Sequence, residues 1–303
     1  MLYPLYKLIW LVLQMLASLY EAVYFIYLRL QTLLHWSYDF RHSSAEIRNR
    51  DRTLLQKCKD ELTKIPRHLN LIIGPDPRGN INDTVVERIL SYALVVGIEW
   101  VSIYDVRSES MGRIELDKIC ATRKTNWKEL RPNQYEWRPT ENASIVTKSH
   151  TKTLSYSNGV LMNGAVSDKR SMSNGDACHS HRHIHEHLKI YQLSEQDNRP
   201  LLAKICRELF KQRNTPNVQN LLDNRKQLEQ YITDELAKYM HWEKIVDPEL
   251  SIIFNTFTCT YGVLPWQTRF TEFHTFETGR CINAENFVKV LYRYSKCEQR
   301  WGK

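Results

Sequence analysis

Residues 65–105 read IPRHLNLIIGPDPRGNINDTVVERILSYALVVGIEWVSIYD, and their pattern decides the fold. The run Leu69–Ile73 is apolar and short, as a buried strand is, and Gly74-Pro75-Asp76-Pro77-Arg78-Gly79 stops it with a breaker-rich loop. Asn82 or Asp83 can cap the helix that follows. Val85, Val86, Ile89, Leu90, Ala93 and Leu94 then recur at helical spacing until Gly97 closes it. Trp100–Val106 is a second strand. Strand, helix and strand within about forty residues make a βαβ unit, which places the two strands parallel. The expected fold is α/β: a mainly parallel sheet flanked by helices.

Downstream, Leu188–Leu193 reads as a third strand and Leu250–Phe254, after Asp247-Pro248, as a fourth. Residues 268–273 are a candidate for one more. Pro200 to Arg213 forms an amphipathic helix through Leu201, Leu202, Ile205, Leu209 and Phe210, and a polar helix follows over 217–239. Asn283 caps a last helix lined by Phe287, Val290, Leu291 and Tyr294. Between them, residues 149–187 are rich in Ser, Asn, Gly and His and carry no apolar period, as expected of a long exposed insertion. No internal repeat is visible.

Upstream, residues 44–64 read as a polar, charged helix with a serine cap, ended by Pro66. Leu8–Leu28, LIWLVLQMLASLYEAVYFIYL, is long enough to cross a hydrocarbon core at roughly 20 residues. Trp36, Tyr38 and several arginines follow it, including Arg29, Arg41 and Arg48, whereas Lys7 is the basic residue before it. By the positive-inside rule the large C-terminal part faces the cytosol, leaving the sequons at Asn82 and Asn142 unused. Glu21 opposes a simple span, since a carboxylate in mid-membrane costs about 2.5–3.5 kcal/mol. Either it pairs with a partner helix, or the segment lies partly in the interface. The chain thus divides into an anchor (1–30), a juxtamembrane helix (31–65) and a domain (66–303) with its insertion.

The formal net charge of +8 suits nucleic acid, anionic lipid or a diphosphate alike. The 7 cysteines are scattered and form no CxxC pair, which excludes a zinc ribbon and a secreted disulfide framework. Cys178 and the alternating His179, His181, His183, His185 and His187 form either a transition-metal site, if extended, or an exposed loop with adventitious affinity. No nucleophile elbow, Walker loop or GxGxxG is present. Pro75 and Pro77 remove two N–H donors from the first loop, so Asp76 and Arg78 fit a plain turn better than a phosphate cradle. At the C-terminus, Gly302 beside Arg300 and Lys303 offers an unencumbered N–H next to positive charge, suited to a diphosphate or to a frayed basic end.

Leu264-Pro265-Trp266-Gln267-Thr268-Arg269-Phe270-Thr271-Glu272 and the ending Cys297-Glu298-Gln299-Arg300-Trp301-Gly302-Lys303 resemble the Nogo-B receptor family, accessory subunits of dehydrodolichyl diphosphate synthase. Segments 65–73, 96–105 and 193–197 resemble the same family. The resemblance implies a cis-prenyltransferase-like fold and an Arg-x-Gly tail that crosses a dimer interface to complete a partner's diphosphate site. Arg300 would supply charge and Gly302 a backbone N–H, with Arg269 and Glu272 supporting the interface. Catalytic relatives end their first strand in a Met-Asp-Gly-Asn-like loop. Here the sequence is Gly74-Pro75-Asp76-Pro77. Their two substrate-binding arginines fall near Ile253 and Cys259, which cannot bind phosphate. No catalytic or metal-binding residue is therefore expected in this chain alone.

What the resemblance implies is a non-catalytic subunit at the endoplasmic reticulum membrane. Its partner would be a catalytic cis-prenyltransferase subunit that holds Mg²⁺ and elongates farnesyl diphosphate with isopentenyl diphosphate for dolichol synthesis. Membrane lipid and diphosphates then account for the basic charge, and nucleic acid has no role. The alternative is a membrane receptor or scaffold that keeps the fold for protein binding only.

Overall fold

The computed structural model describes residues 2–41, 43–75, 81–122, 126–138, 187–242, 246–276 and 282–297. In chain order its elements are α1 (Leu2–Arg41), α2 (Ser44–Glu61), β1 (His68–Ile73), α3 (Asp83–Val96), β2 (Trp100–Asp105), α4 (Leu116–Thr122), β3 (Trp127–Arg131), β4 (Gln134–Trp137), β5 (Leu188–Leu193), α5 (Arg199–Lys211), α6 (Pro216–Asp223), α7 (Arg225–Met240), β6 (Leu250–Phe254), β7 (Glu272–Phe276) and α8 (Ala284–Lys296). The strands form one sheet in the order β3-β4-β5-β2-β1-β6-β7.

The βαβ unit is present as the sequence indicates. β1 and β2 run parallel, from His68 opposite Trp100 to Ile73 opposite Asp105. β5, β6 and β7 continue the parallel array, and β3 and β4 add an antiparallel pair at one edge. Asn82 caps α3 by accepting from the Val85 N–H at 3.0 Å. Gly97 ends it in the left-handed region at φ 96°, where a side chain would be strained.

Period-two alternation sorts each central strand between two cores. Leu71 and Ile73 face the layer of α2, α3 and α8, whereas Ile72 faces α5 and α7. On the second face, a buried polar strip interrupts the apolar packing. Ser102 Oγ lies 2.9 Å from Asn70 Oδ1, and Asn70 Nδ2 donates to Ser251 Oγ at 3.2 Å. His68 Nδ1 donates to the Val246 carbonyl at 2.7 Å. Complete burial pushes its imidazole down to about 4, against the pull of that carbonyl, so the ring is neutral.

Three elements differ from the sequence reading. α2 is not a spacer: Leu55, Cys58 and Leu62 are buried against α3 and α8, so the folded unit begins upstream of Pro66. The polar helix over 217–239 is two helices, because Asn224 ends α6 and its side chain caps α7 at the Gln227 N–H. Residues 267–270 form a 3-10 turn rather than a strand, with the Thr268 hydroxyl returning to the Leu264 carbonyl at 2.9 Å. The last strand therefore starts at Glu272.

Within α1, Pro4–Tyr27 is long and apolar enough to cross a membrane, with mean hydropathy 1.6 and no part buried against the domain. Asp76, Arg78, Asn142, most of the 149–187 insertion with histidines 179–185, and Arg300 and Gly302 lie outside the described residues.

Candidate functional site

A parallel sheet presents ligands at the carboxyl ends of its strands. There, Tyr104, Asp105, Arg113, Glu195, Arg199 and the loop Cys259–Gly262 line a cleft of about 490 Å³.

Asp105, the last residue of β2, is the acid nearest the strand ends, and its bonding decides what the cleft can do. It is buried and accepts from the Arg107 N–H and Nε at 3.0 Å, from Arg107 Nη2 at 2.7 Å and from the Ile114 N–H at 2.8 Å. Arg107 is itself buried and donates Nη1 to the Ile81 carbonyl at 3.0 Å. Both carboxylate oxygens are therefore engaged, and this pair is a clamp on the loop after β2. Gln192 clamps the same loop from β5, accepting from the Leu116 N–H at 2.7 Å and donating to the Ile114 carbonyl at 2.8 Å. A hard cation such as Mg²⁺ needs several oxygen ligands, at least one a free carboxylate. Asp105 has none to give. Among the described residues, no three His, Cys, Asp and Glu side chains gather as a metal would require.

The end of β1 is closed as well. A Cβ on Gly74 would lie 2.8 Å from Asn255 Cγ and 3.0 Å from the Tyr261 hydroxyl. Asn255 Nδ2 donates to that hydroxyl at 2.6 Å, so the two side chains form a bonded plug over the strand. Beside it, Tyr261, Gly262 and Leu264 all have positive φ, held by Asn198 Oδ1 on the Leu264 N–H at 2.9 Å. Such backbone persists only where its surroundings over-determine it.

What remains open in the cleft is basic. Arg199 lies against bare Gly262, where a Cβ would meet its Nε at 2.5 Å. Arg113 Nε is buried with no hydrogen-bond partner among the described residues. Burial raises the Tyr104 phenol, Glu195 adds to the shift, and Asn198 and Arg113 oppose it. Two guanidiniums can hold an anion between them.

The sequence-indicated positions fall as follows. Ile253 is fully buried in β6, and Cys259 lines the cleft. Arg269 sits just before β7, stacked 4.4 Å over Trp266 and paired with Glu229 on α7. It also opposes the burial that lifts Asp247 to about 6. Glu272, the first residue of β7, accepts from the Cys297 thiol at 2.7 Å, and that bond raises the thiol. Glu272 thus holds the residue from which 298–303 departs. It pairs with Leu250 at the amino end of the strands, opposite to the cleft. The sequence reading missed Arg113, Arg199, Asn255 and Tyr261. The positive-φ Tyr261-Gly262 turn is the one signal that could have pointed to the plug.

Curated proteins give two local matches. The chain is 28% identical over 117 residues to the dehydrodolichyl diphosphate synthase complex subunit NUS1 of Homo sapiens, covering 39% of this chain and 37% of that protein. It is 42% identical over 70 residues to the corresponding subunit of Mus musculus, covering 23% of this chain and 24% of that protein. Both are subunits of one synthase complex. These are the accessory subunits that the sequence motifs resemble, and the matches span at most 37% of their length. A probable undecaprenyl diphosphate synthase from Campylobacter jejuni aligns at TM-score 0.42 and 12% identity over 80% of this chain and 100% of that one. No protein-family model matches the chain.

Proposed function

We propose that this chain is the membrane-anchored, non-catalytic subunit of a two-part cis-prenyltransferase, and that its C-terminal tail works in the partner's site. The observation that carries this reading is the root of the tail. Cys297 is held at the amino end of β7, while the chain's own cleft opens at the carboxyl ends of the strands, between β2, three strands away, and the loop after β6, the strand next to β7. Strand length and inter-strand spacing put Cys297 about 17 Å from the near wall of the cleft and about 24 Å from the far one. Gly302, five residues past Cys297, reaches at most about 18 Å. The tail thus starts at the end of the sheet opposite its own cleft and could reach that cleft's near wall only fully extended, which favours a role in another chain.

In a partner's site, Arg300 supplies charge, and Gly302 supplies a backbone N–H that a side chain would obstruct. The partner provides the aspartate, the arginines and Mg²⁺; the engagement of Asp105 by Arg107 and the Ile114 N–H supports this assignment. The reaction is cis-condensation of isopentenyl diphosphate onto farnesyl diphosphate, serving dolichol synthesis and protein glycosylation. Arg269 and Glu272 support the interface near the tail root. α1 holds the domain at the endoplasmic reticulum membrane, facing the cytosol.

The test is isopentenyl diphosphate incorporation into polyprenyl products in membranes lacking endogenous activity. This chain alone, the catalytic partner alone, the pair, and the pair with Gly302→Ala are compared. Activity confined to the pair and collapsing with Gly302→Ala is expected. A pair no more active than the partner alone would overturn the reading in favour of a receptor or scaffold.

A further inference from the structure

Between Pro4 and Tyr27, the non-aromatic polar side chains are Lys7, Gln14, Ser18 and Glu21. They are not scattered. With Leu11 and Phe25 they follow one another at spacings of four, three, four, three and four along α1. That is the heptad seam of a left-handed helix pair. At 3.6 residues per turn the six positions fall within an arc of about 80°. The opposite face carries Leu8, Val12, Leu16, Leu19, Val23 and Ile26, with Tyr20 and Tyr27 as its aromatic members. Every side chain described on the span is exposed.

The stripe does not fit a helix lying flat in the interface. Such helices have low net hydrophobicity and a strongly charged face, whereas this segment has mean hydropathy 1.6 and two charged residues. Within a span, polar groups facing lipid are costly and polar groups facing another helix hold the two together.

Resting on the reading of α1 as a membrane span, we propose that this seam is a parallel interface between two copies of this chain within the bilayer. The second copy is the occupant because Gln14 and Ser18, the neutral polar residues in the middle of the seam, each complement themselves, with Lys7 and Glu21 placed to either side of them. All copies insert with the same polarity, so a parallel pair sets each seam position against its own counterpart. Gln14, at mid-span, carries both a donor and an acceptor and pairs with Gln14 of the second copy. Glu21 reaches the Ser18 hydroxyl of the second copy one turn away. Ala17 and Ser18 are small enough to let the two backbones approach. The cytosolic domain takes no part and stays free for a catalytic partner.

Residues 1–57 contain no cysteine, so a single cysteine placed in the span reports its own neighbours. The full chain, with Ser18→Cys on the seam or Leu16→Cys on the opposite face, is reconstituted in phosphatidylcholine vesicles and oxidised. Domain cysteines give both variants the same background. Ser18→Cys is expected to yield at least about fivefold more cross-linked dimer than Leu16→Cys, and adding Gln14→Leu should remove that excess. Equal cross-linking of the two variants overturns the proposal, as does an excess that Gln14→Leu leaves intact. A Ser18→Cys cross-link formed in native membranes only with a different protein also overturns it. Vesicle flotation separates this outcome from failure of the anchor. A chain that does not float defeats both readings, and one that floats without seam-specific cross-links defeats self-association alone.

Discussion

Replacing Arg107 by Met tests whether the clamp after β2 is structural. The guanidinium gives Asp105 its Nε contact at 3.0 Å and its Nη2 contact at 2.7 Å, and gives the Ile81 carbonyl a third at 3.0 Å. Without it the Asp105 carboxylate, whose side chain is 0% exposed, keeps only the N–H groups of residue 107 and Ile114. Removing one partner of a buried ion pair costs about 3–5 kcal/mol, since the other charge stays buried. That is a large part of the roughly 5–15 kcal/mol by which a domain is stable. Urea unfolding of the full chain in detergent, followed by fluorescence of the buried Trp127, Trp137 and Trp242, should show the midpoint falling by about 1–2 M. Adding Asp105→Asn to Arg107→Met removes the stranded charge and should recover more than half of the loss, because the amide oxygen still accepts from a backbone N–H. A loss below about 1 kcal/mol for the single variant, or a double variant no more stable than the single, would refute the account.

Further outcomes follow from other contacts. Gly74→Ala drives a Cβ into Asn255 and the Tyr261 hydroxyl and should destabilise the chain by about 1–3 kcal/mol, read as a lower Tm. Tyr261→Phe added to it should relieve part of that. His68 titrates near 4 when folded and near 6.5 when unfolded, so stability is unaffected above pH 6.5 and falls as the unfolded chain takes up a proton between 6.5 and 4. The whole window amounts to about 3 kcal/mol, and denaturation curves of His68→Gln should lack that component. Glu272→Ala frees the Cys297 thiol at the tail root. It should cost under about 1 kcal/mol of stability yet lower activity of the reconstituted pair, a split that equilibrium unfolding and the incorporation assay together detect.

What could be read from the sequence depended on how directly local pattern implies packing. β1, α3 and β2 were legible because apolar runs of strand length alternate with a capped helical stripe and a closing glycine. The β3–β4 hairpin was not. β3 is mostly exposed and polar, and its turn depends on Asn133 at φ 63° rather than on a glycine. α2 was legible as a serine-capped helix, but its conspicuous charges hid its packing on the domain. The spacing of Leu55, Cys58 and Leu62, three and four residues apart, already traces a buried stripe. The cleft was the least legible part. Asp105 is drawn from a strand that reads as apolar, Arg113 from a loop, and Arg199 and the 259–262 loop from positions some 60–150 residues later in the chain. Only the fold joins them.

The plug and the tail together limit what kind of partner the proposal allows. A tail that starts at the amino end of β7, opposite the cleft, is placed to act on another chain. A second copy of this chain would offer that tail a site in which β1 is closed by Asn255 and Tyr261 and the nearest carboxylate is bound to Arg107. Opening it would cost the Asn255–Tyr261 bond beside the positive-φ residues Tyr261, Gly262 and Leu264, so closure is the satisfied state of this sequence. On the proposed reading the tail needs a chain of the same architecture with a free strand-end aspartate, which Asp105, bound to Arg107, does not offer. Self-association through α1 sets two such tails side by side without altering that requirement. The proposed division of labour fits an α1 suited to the bilayer and a Cys297 held at the amino end of the strands, opposite the cleft.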